Sequence, residues 1–176
     1  MGVASDLDYR IARQNILQRT MNRIAGTWPM PRVMAPILPR LDTMISAATG
    51  GKASLTRAGG HEVLWVGMRG RRTGQIRQVP LLAFPFDDDL AVIGSNFGRP
   101  EIPAWAHNLW ATPDVELTVG ERTVDARSRE ATSEEAEVVW KTATEILPAY
   151  AGYRRRVTKR PIPVFIFEPR PGPEAA

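Results

Sequence analysis

An α+β fold built on a small antiparallel barrel is what this sequence predicts, and three observations carry it. From residue 61 the hydrophobic pattern takes on the composition and period of β-strands. A two-residue turn at Gly120-Glu121 separates two alternating segments, as a tight hairpin requires. Helical patterns enter this region only late, between strands rather than in alternation with each of them.

The elements follow in order. "HEVLWVGMRG" is rich in β-favouring residues and reads as the first strand. "RQVPLLAFPF" is the second, and its Pro80 and Pro85 point to an edge position or to bulges. "DDDLAVIGSN" gives a turn and a third strand, and "PAWAHNLWATP" a short helix bracketed by prolines. In "DVELTVGERTVDARSREA", Val115, Leu117 and Val119 alternate up to the hairpin turn. Thr132 and Glu135 have the spacing of a capping box, which opens the helix "SEEAEVVWKTATEIL". The last strand is "IPVFIFEP".

Residues 1–60 read as a helical extension, 61–170 as the barrel domain and 171–176 as a flexible tail. From Asp6 to about residue 25, Leu7, Ile11, Leu17, Met21 and Ile24 fall on one side of a helical wheel, with Arg13, Arg19 and Arg23 off that stripe. Such a helix packs on its own domain or rests on a membrane surface. A proline-punctuated, Met-rich segment follows, with a short helix near Leu41–Ala48, and "GGKASLTRAGG" reads as a connector.

Composition narrows the chemistry. The chain has 176 residues, 43% hydrophobic and 24% charged, as an ordinary globular domain does. It has no cysteine, which excludes disulfides, thiol nucleophiles and cysteine-ligated metals. His61 and His107 lie far apart and belong to no metal-ligand motif, so no metal site is expected. A net charge of +4 favours an anionic partner: nucleic acid, a membrane face or a phosphorylated cofactor. No apolar run approaches a membrane span, the N-terminus lacks the layout of a secretory signal, and Asp6 breaks a myristoylation pattern. A cytoplasmic location is the expectation.

The chemistry concentrates in "VGMRGRRTGQIRQVPLL", where Arg69, Arg71, Arg72 and Arg77 surround a glycine-rich bend. Arginine forks suit phosphate and carboxylate, and glycine lets backbone N–H groups approach a ligand. The bend is neither a Walker A loop nor a G-x-G-x-x-G turn opening a helix. Taken alone it is equally a solvated hairpin tip.

Three separated motifs occur together: "GMRGRRTGQIRQVPL", "VIGSNFGRPEIPAWAHNLWATPDVEL", and "LPAYAGY" followed by "RPIPVFIFEP". In this order and spacing the chain resembles the deazaflavin-dependent nitroreductases, split β-barrel relatives of flavin-binding oxidoreductases that use coenzyme F420. The resemblance runs from about His61 to Pro169. It implies that Arg71, Arg72, Thr73 and Arg77, with Gln78, Val79 and Pro80, hold the anionic phosphodiester and glutamate tail of F420. Arg72 stands where that family has lysine, and Val79 where it has asparagine. The resemblance further places Ile93, Gly94, Ser95 and Asn96 along the deazaflavin ring, Asn96 standing where lysine is expected and Arg99 being the nearest replacement charge. Ala104, Trp105, Ala106, His107 and Asn108 would close the pocket, Trp105 being equally a core aromatic. Leu109 and Trp110 are the better candidates for that helix's buried face. Tyr150 and Tyr153 would line the substrate side, with Leu147 in place of a third tyrosine.

The implied reaction moves a hydride from reduced F420 to a quinone, a nitroaromatic or a similar small acceptor, with the protein supplying binding and orientation. Ser95, Tyr150 and Tyr153 are then the catalytic candidates, as donors to charge developing on an acceptor oxygen. The alternatives are an FMN, other flavin or tetrapyrrole ligand in the same barrel, and a basic nucleic-acid-binding module using Arg69–Arg77 and Arg154–Arg160. Against the module, aromatic residues do not interleave with the basic ones, so no nucleic-acid partner is expected. The chain would work as a monomer or homodimer, with peripheral membrane contact confined to the N-terminal helix.

Overall fold

Alternating side chains decide the architecture. The computed structural model describes residues 2–10 and 62–171. Six strands close into an antiparallel barrel: β1 (Val63–Arg69), β2 (Ile76–Phe86), β3 (Asp89–Ile93), β4 (Asp114–Val119), β5 (Arg122–Glu130) and β6 (Val164–Pro169). Their order around the barrel is β1-β2-β3-β6-β5-β4. Leu64, Val66, Met68, Leu90, Val92, Leu117, Phe165 and Phe167 point inward and form the main core. Phe84, Ala91, Ile93, Val164 and Ile166, on the opposite pleat, form a second core outside the barrel. Helices α3 (Ser133–Ile146) and α4 (Ala149–Arg156) cover that outer face with Val139, Trp140, Ala143, Tyr150 and Tyr153.

The hairpin forms as predicted, with Val119 opposite Arg122 and Gly120 at φ +60°. The expected capping box opens α3: Thr132 Oγ1 accepts from Glu135 N, and Glu135 Oε2 accepts from Thr132 N at 2.8 Å. Glu135 also receives both terminal nitrogens of Arg129 at 2.7 Å, while Arg129 Nε donates to Glu168 at 2.6 Å. One carboxylate thus ties β5 to α3, and its arginine extends the tie to β6.

The prolines of β2 turn out to have a precise position. Residues Ile76–Leu82 pair with β1 and Ala83–Phe86 with β3. Pro80 and Pro85 therefore lie in an interior strand, but each on a stretch bonded on one side. A missing N–H costs nothing where no second neighbour needs it.

Of the helix expected from Asp6 to about residue 25, only residues 6–10 are described, and a separate short helix precedes them. Helix α1 spans Val3–Asp6, and Asp8 at φ +51° ends it. Val3 and Leu7 are buried in the barrel core, so this end of the apolar stripe faces the protein. Asp88 of the β2–β3 turn accepts from Gly2 N and Ser5 Oγ, and Ala4 N donates to the Asp88 carbonyl at 3.0 Å. Ile11, Leu17, Met21 and Ile24, the short helix near Leu41–Ala48, the connector, His61 and residues 172–176 lie outside the described residues. No helix among those described is long and apolar enough to cross a membrane.

Glu135 is held down to about 2, first by its hydrogen bonds from Arg129 and then by the Thr132 N–H. A depressed carboxyl stabilises the fold above its ordinary value and loses that contribution as pH falls toward 2. Glu135→Gln should lower Tm by about 2–4 °C at neutral pH, the shift for about 1 kcal/mol in a domain of this size. It should also flatten the acid side of the stability profile between about pH 4.5 and 2. Thermal melts across that range check both.

Candidate functional site

The offset pairing of β2 opens one side of the barrel. Over Ile76–Leu82 the strand has β1 on one side and, among the described residues, no strand on the other. At about 3.3 Å per residue this open edge runs about 20 Å. Val79, Pro80, Leu81 and Leu82 along it are half-buried, and Gln78, Arg77 and Ile76 are exposed. The arginine bend lies at one end, and at the other is the loop that leaves β3.

The bend is a closed turn. Gly70 N donates to Gln75 O at 2.8 Å and Gly74 N to Gly70 O at 2.7 Å, with Gly74 at φ +67°. Arg69 Nη1 donates to Gly74 O, and Thr73 Oγ1 accepts from Gln75 N at 3.4 Å. Thr73 is thus engaged in the turn. Arg71, Arg72 and Arg77 are exposed, and no carboxylate lies within ion-pair distance of them among the described residues. Three exposed cations with no carboxylate partner among the described residues give this end a positive surface, the kind of surface that favours anions.

Asn108 joins two of the motifs. It lies on α2 (Ala104–Ala111), and its Oδ1 accepts from Arg71 N at 3.1 Å. Ala106 and Leu109 bury that helix in the main core. Trp105 packs its ring 5.9 Å from Phe165, Ala104 is exposed, and His107 stacks edgewise on Trp110 at 5.4 Å. Trp110, expected on the buried face with Leu109, is 42% exposed. Its Nε1 donates to Glu130 at 2.8 Å, and an indole that needs a partner for its N–H finds one at the surface. Gln78 Nε2 donates to Glu116 at 3.3 Å, turning toward β4.

At the other end, Ile93 and Gly94 lead into a strained loop. A β-carbon on Gly94 would lie 2.8 Å from Pro163 Cγ, so only glycine fits there. Ser95 is buried at 4% exposure. Asn96, Phe97 and Gly98 then take φ of +49°, +57° and +77° in succession, a left-handed turn in which two residues are not glycine. Asn96 Nδ2 donates to Glu101 O at 3.0 Å, so this side chain is spent within its own loop.

Helix α4 brings the tyrosines to this loop. Tyr150 and Tyr153 are both buried, with rings 5.2 Å apart. Tyr150 packs edge-on to Phe84 at 5.0 Å, and Tyr153 to Phe97 at 6.2 Å. Burial pushes both hydroxyls above the usual tyrosine range, and for Tyr150 the Ser95 hydroxyl beside it pulls the other way. Both remain neutral hydrogen-bond donors well into the alkaline range. The half-buried Leu147 joins the same outer cluster.

The basic run after α4 is mostly occupied. Arg154 forks onto Glu137 and lies over the Trp140 ring. Arg156 lies over the Tyr153 ring and donates to Phe97 O at 3.4 Å, while Arg160 turns onto backbone carbonyls. It is therefore not a free basic stripe for nucleic acid. Arg156, Arg160 and Phe97 are residues that motif reasoning passed over. Only "SNFG" carried a signal, since Asn and Gly tolerate left-handed backbone.

A closed six-stranded antiparallel barrel thus carries an exposed arginine bend at one end of the half-paired stretch of β2 and a buried Ser95 and tyrosine cluster near the other. The F420H(2)-dependent quinone reductase family matches residues 38–169. An F420H(2)-dependent quinone reductase of Mycobacterium tuberculosis is 30% identical over 136 residues, covering 76% of this chain and 91% of that protein. Among solved structures, an F420-H2-dependent reductase, FDR-A, is 36% identical over 60% of this chain and 93% of its own, with a TM-score of 0.55. A chain solved as a domain-swapped dimer is 32% identical, covering 73% of this chain and 94% of its own, with a TM-score of 0.57. The chain belongs to the F420H(2)-dependent quinone reductase family, and its cofactor is coenzyme F420.

Asn108→Ala should free the Arg71 N–H and cost about 1 kcal/mol of stability. Amide hydrogen exchange should speed up at Arg71 and leave the β1 amides unchanged. Unaltered protection at Arg71 would show that Asn108 does not hold the bend.

Proposed function

We propose that this chain binds F420H2 along the open side of β2 and reduces a quinone at the Ser95 end. The observation that carries the reading is the placement along β2: about 20 Å of strand edge with no second partner among the described residues, between exposed arginines and a buried hydroxyl pair. Arg71, Arg72 and Arg77 grip the phosphodiester and glutamates of the tail, with the backbone N–H groups of the bend beside them. Val79, Pro80 and Leu81 give the ring an apolar wall. Gly94 and Ser95 border its reactive edge, and α2 holds the bend in place through Asn108.

Bound F420H2 supplies the hydride. The residues hold an acceptor beside that position and keep water out, which in well-oriented cases contributes on the order of 7–11 kcal/mol toward the barrier. Ser95 and Tyr150 donate hydrogen bonds to the acceptor oxygen as it gains charge, and Tyr153 with Phe97 frames the aromatic side of the site. A quinone suits these donors through its carbonyl oxygens. The oxygens of a nitroaromatic are a second match, so selectivity between the two rests on shape. In this reading a second copy of the chain is not needed to complete the site.

Titration with F420, followed by fluorescence quenching, tests the cofactor. Affinity should weaken steeply with added salt, since exposed charges are screened within about 8 Å at physiological ionic strength. Arg71→Ala, Arg72→Ala and Arg77→Ala should each weaken binding and leave Tm unchanged. Normal affinity in all three would remove the tail from the bend.

Tyr150→Phe should lower kcat for a quinone by about 10²-fold, the loss seen when one donor to a developing oxyanion is removed. It should change F420 affinity little. Because burial raises the Tyr150 hydroxyl, turnover should persist through pH 10 without the alkaline limb of an ordinary tyrosine. A limb at pH 10 that disappears in Tyr150→Phe would contradict that assignment of its ionisation.

A further inference from the structure

The loop that borders the reactive end is strained, and the structure contains the group that holds it. Ser95 is right-handed at φ −67°, and Asn96, Phe97 and Gly98 follow in left-handed backbone. A non-glycine residue in that region costs on the order of 1–3 kcal/mol and persists only where surrounding contacts impose it. Here the contacts converge on one side chain. Arg160 Nη1 donates to Gly94 O at 3.3 Å, and Nη2 to Ser95 O at 3.2 Å and Arg99 O at 3.0 Å. Nη1 also meets Pro161 O at 2.9 Å, which fixes the guanidinium just ahead of β6.

This guanidinium is unusual in two ways. No carboxylate lies within ion-pair distance of it among the described residues, and its Nε is buried without a partner. A surface arginine kept only for solubility would have water on Nε and a mobile fork. This one spans both ends of a six-residue loop from below, gathering its carbonyls. The N–H groups of Asn96 and Phe97 are left with no acceptor among the described residues. Arg156 adds a single bond to Phe97 O from the other side.

We infer that Arg160 is a positioning residue for hydride transfer. It fixes the Gly94–Arg99 loop, and through it Ser95, at the distance the reaction needs, and it sets a positive charge with no carboxylate in ion-pair contact among the described residues behind the place where negative charge develops. Lysine cannot replace it, because one ammonium cannot reach Gly94, Ser95 and Arg99 with a planar fork. This inference rests on the proposed reaction, so the experiment separates the two.

Three measurements on Arg160→Lys in the full chain decide it. In the cofactor-free protein, the Gly98 and Arg99 amides, which bond to Ser95 O and Asn96 O, should exchange faster, while Ala91–Ile93 in β3 stay protected. F420 quenching should give a Kd within about fivefold of the unaltered protein, because the tail's grip lies about 20 Å away. With saturating F420H2, kcat should fall by about 10²-fold, the cost of a displacement near 1 Å at a reacting centre. Unchanged exchange at Gly98 and Arg99, or normal kcat in a folded variant, overturns the positioning role. So does a fall in kcat that only tracks loss of β3 protection. If Arg160→Lys alone does not fold, adding Asn96→Gly relieves the left-handed strain and should restore folding without restoring the turnover of Asn96→Gly itself. Turnover that returns with folding makes Arg160 merely structural. Absence of F420 quenching in the unaltered protein is the separate result that sinks the functional reading.

Discussion

The register of β2 is the constraint on which the rest of the structure depends. This strand is 11 residues long, β1 accompanies it as far as Leu82, and β3 takes over at Ala83. A slip of one residue would exchange the inner and outer faces, driving Phe84 inward and Ala83 outward. With this offset, Ile76–Leu82 has β1 on one side and no strand on the other among the described residues. Beyond Leu82, where β1 has ended, the N-terminal segment covers the strand. Tyr9 donates to Ala83 O at 2.9 Å, and α1 sits on the β2–β3 turn. The protein covers the Ala83 end of the strand with its own N-terminal segment, and the proposed cofactor lies along the other stretch.

The two ends of the open stretch are built on opposite electrostatic principles. At the bend, three arginines stand in water, where each interaction is weak and screened and only their sum with a polyanion is substantial. At the loop, Arg160 is half-buried and bonds to neutral carbonyls, contacts worth about 1.5–3 kcal/mol each when one partner is charged. Two left-handed non-glycine residues cost on the order of 2–6 kcal/mol together. Three such contacts are worth about 4.5–9 kcal/mol together, enough to offset that strain.

Much of the fold was legible because its signals are local. β-favouring composition located the strands, alternation and the Gly120 turn set a hairpin, and Thr132 with Glu135 announced a helix start that forms as read. The arginine bend was legible as a tight, glycine-bearing turn, which forms as read. What escaped depends on distant partners. The short helix Val3–Asp6 was missed because it is anchored by Gly2, Ala4 and Ser5 on Asp88, a residue the wheel pattern cannot see. Trp110 is exposed because Glu130, on another strand, offers its N–H an acceptor. Arg160 looked like one more charge in a basic run, and only the folded chain brings it beneath Gly94 and Ser95.

In the proposed binding mode, screened contacts at one end and buried ones at the other make affinity and turnover physically separable. A tail held by exposed charges tolerates small displacements, since a Coulomb interaction in water changes little over a fraction of an ångström. Hydride transfer does not tolerate them, because its geometry is set by near-contact of the reacting atoms. The chain accordingly spends its rigid elements at the ring end: a glycine packed against Pro163, a buried serine, two tyrosines locked by Phe84, Trp140 and Phe97, and an arginine fork beneath them. At the tail end it needs only a turn anchored by Asn108. Neither end requires a group that titrates near neutrality, because the cofactor carries the electrons and the tyrosine hydroxyls stay protonated. The chemistry of this family can therefore run in a domain with no cysteine and no metal-ligand motif: its catalytic contribution is position.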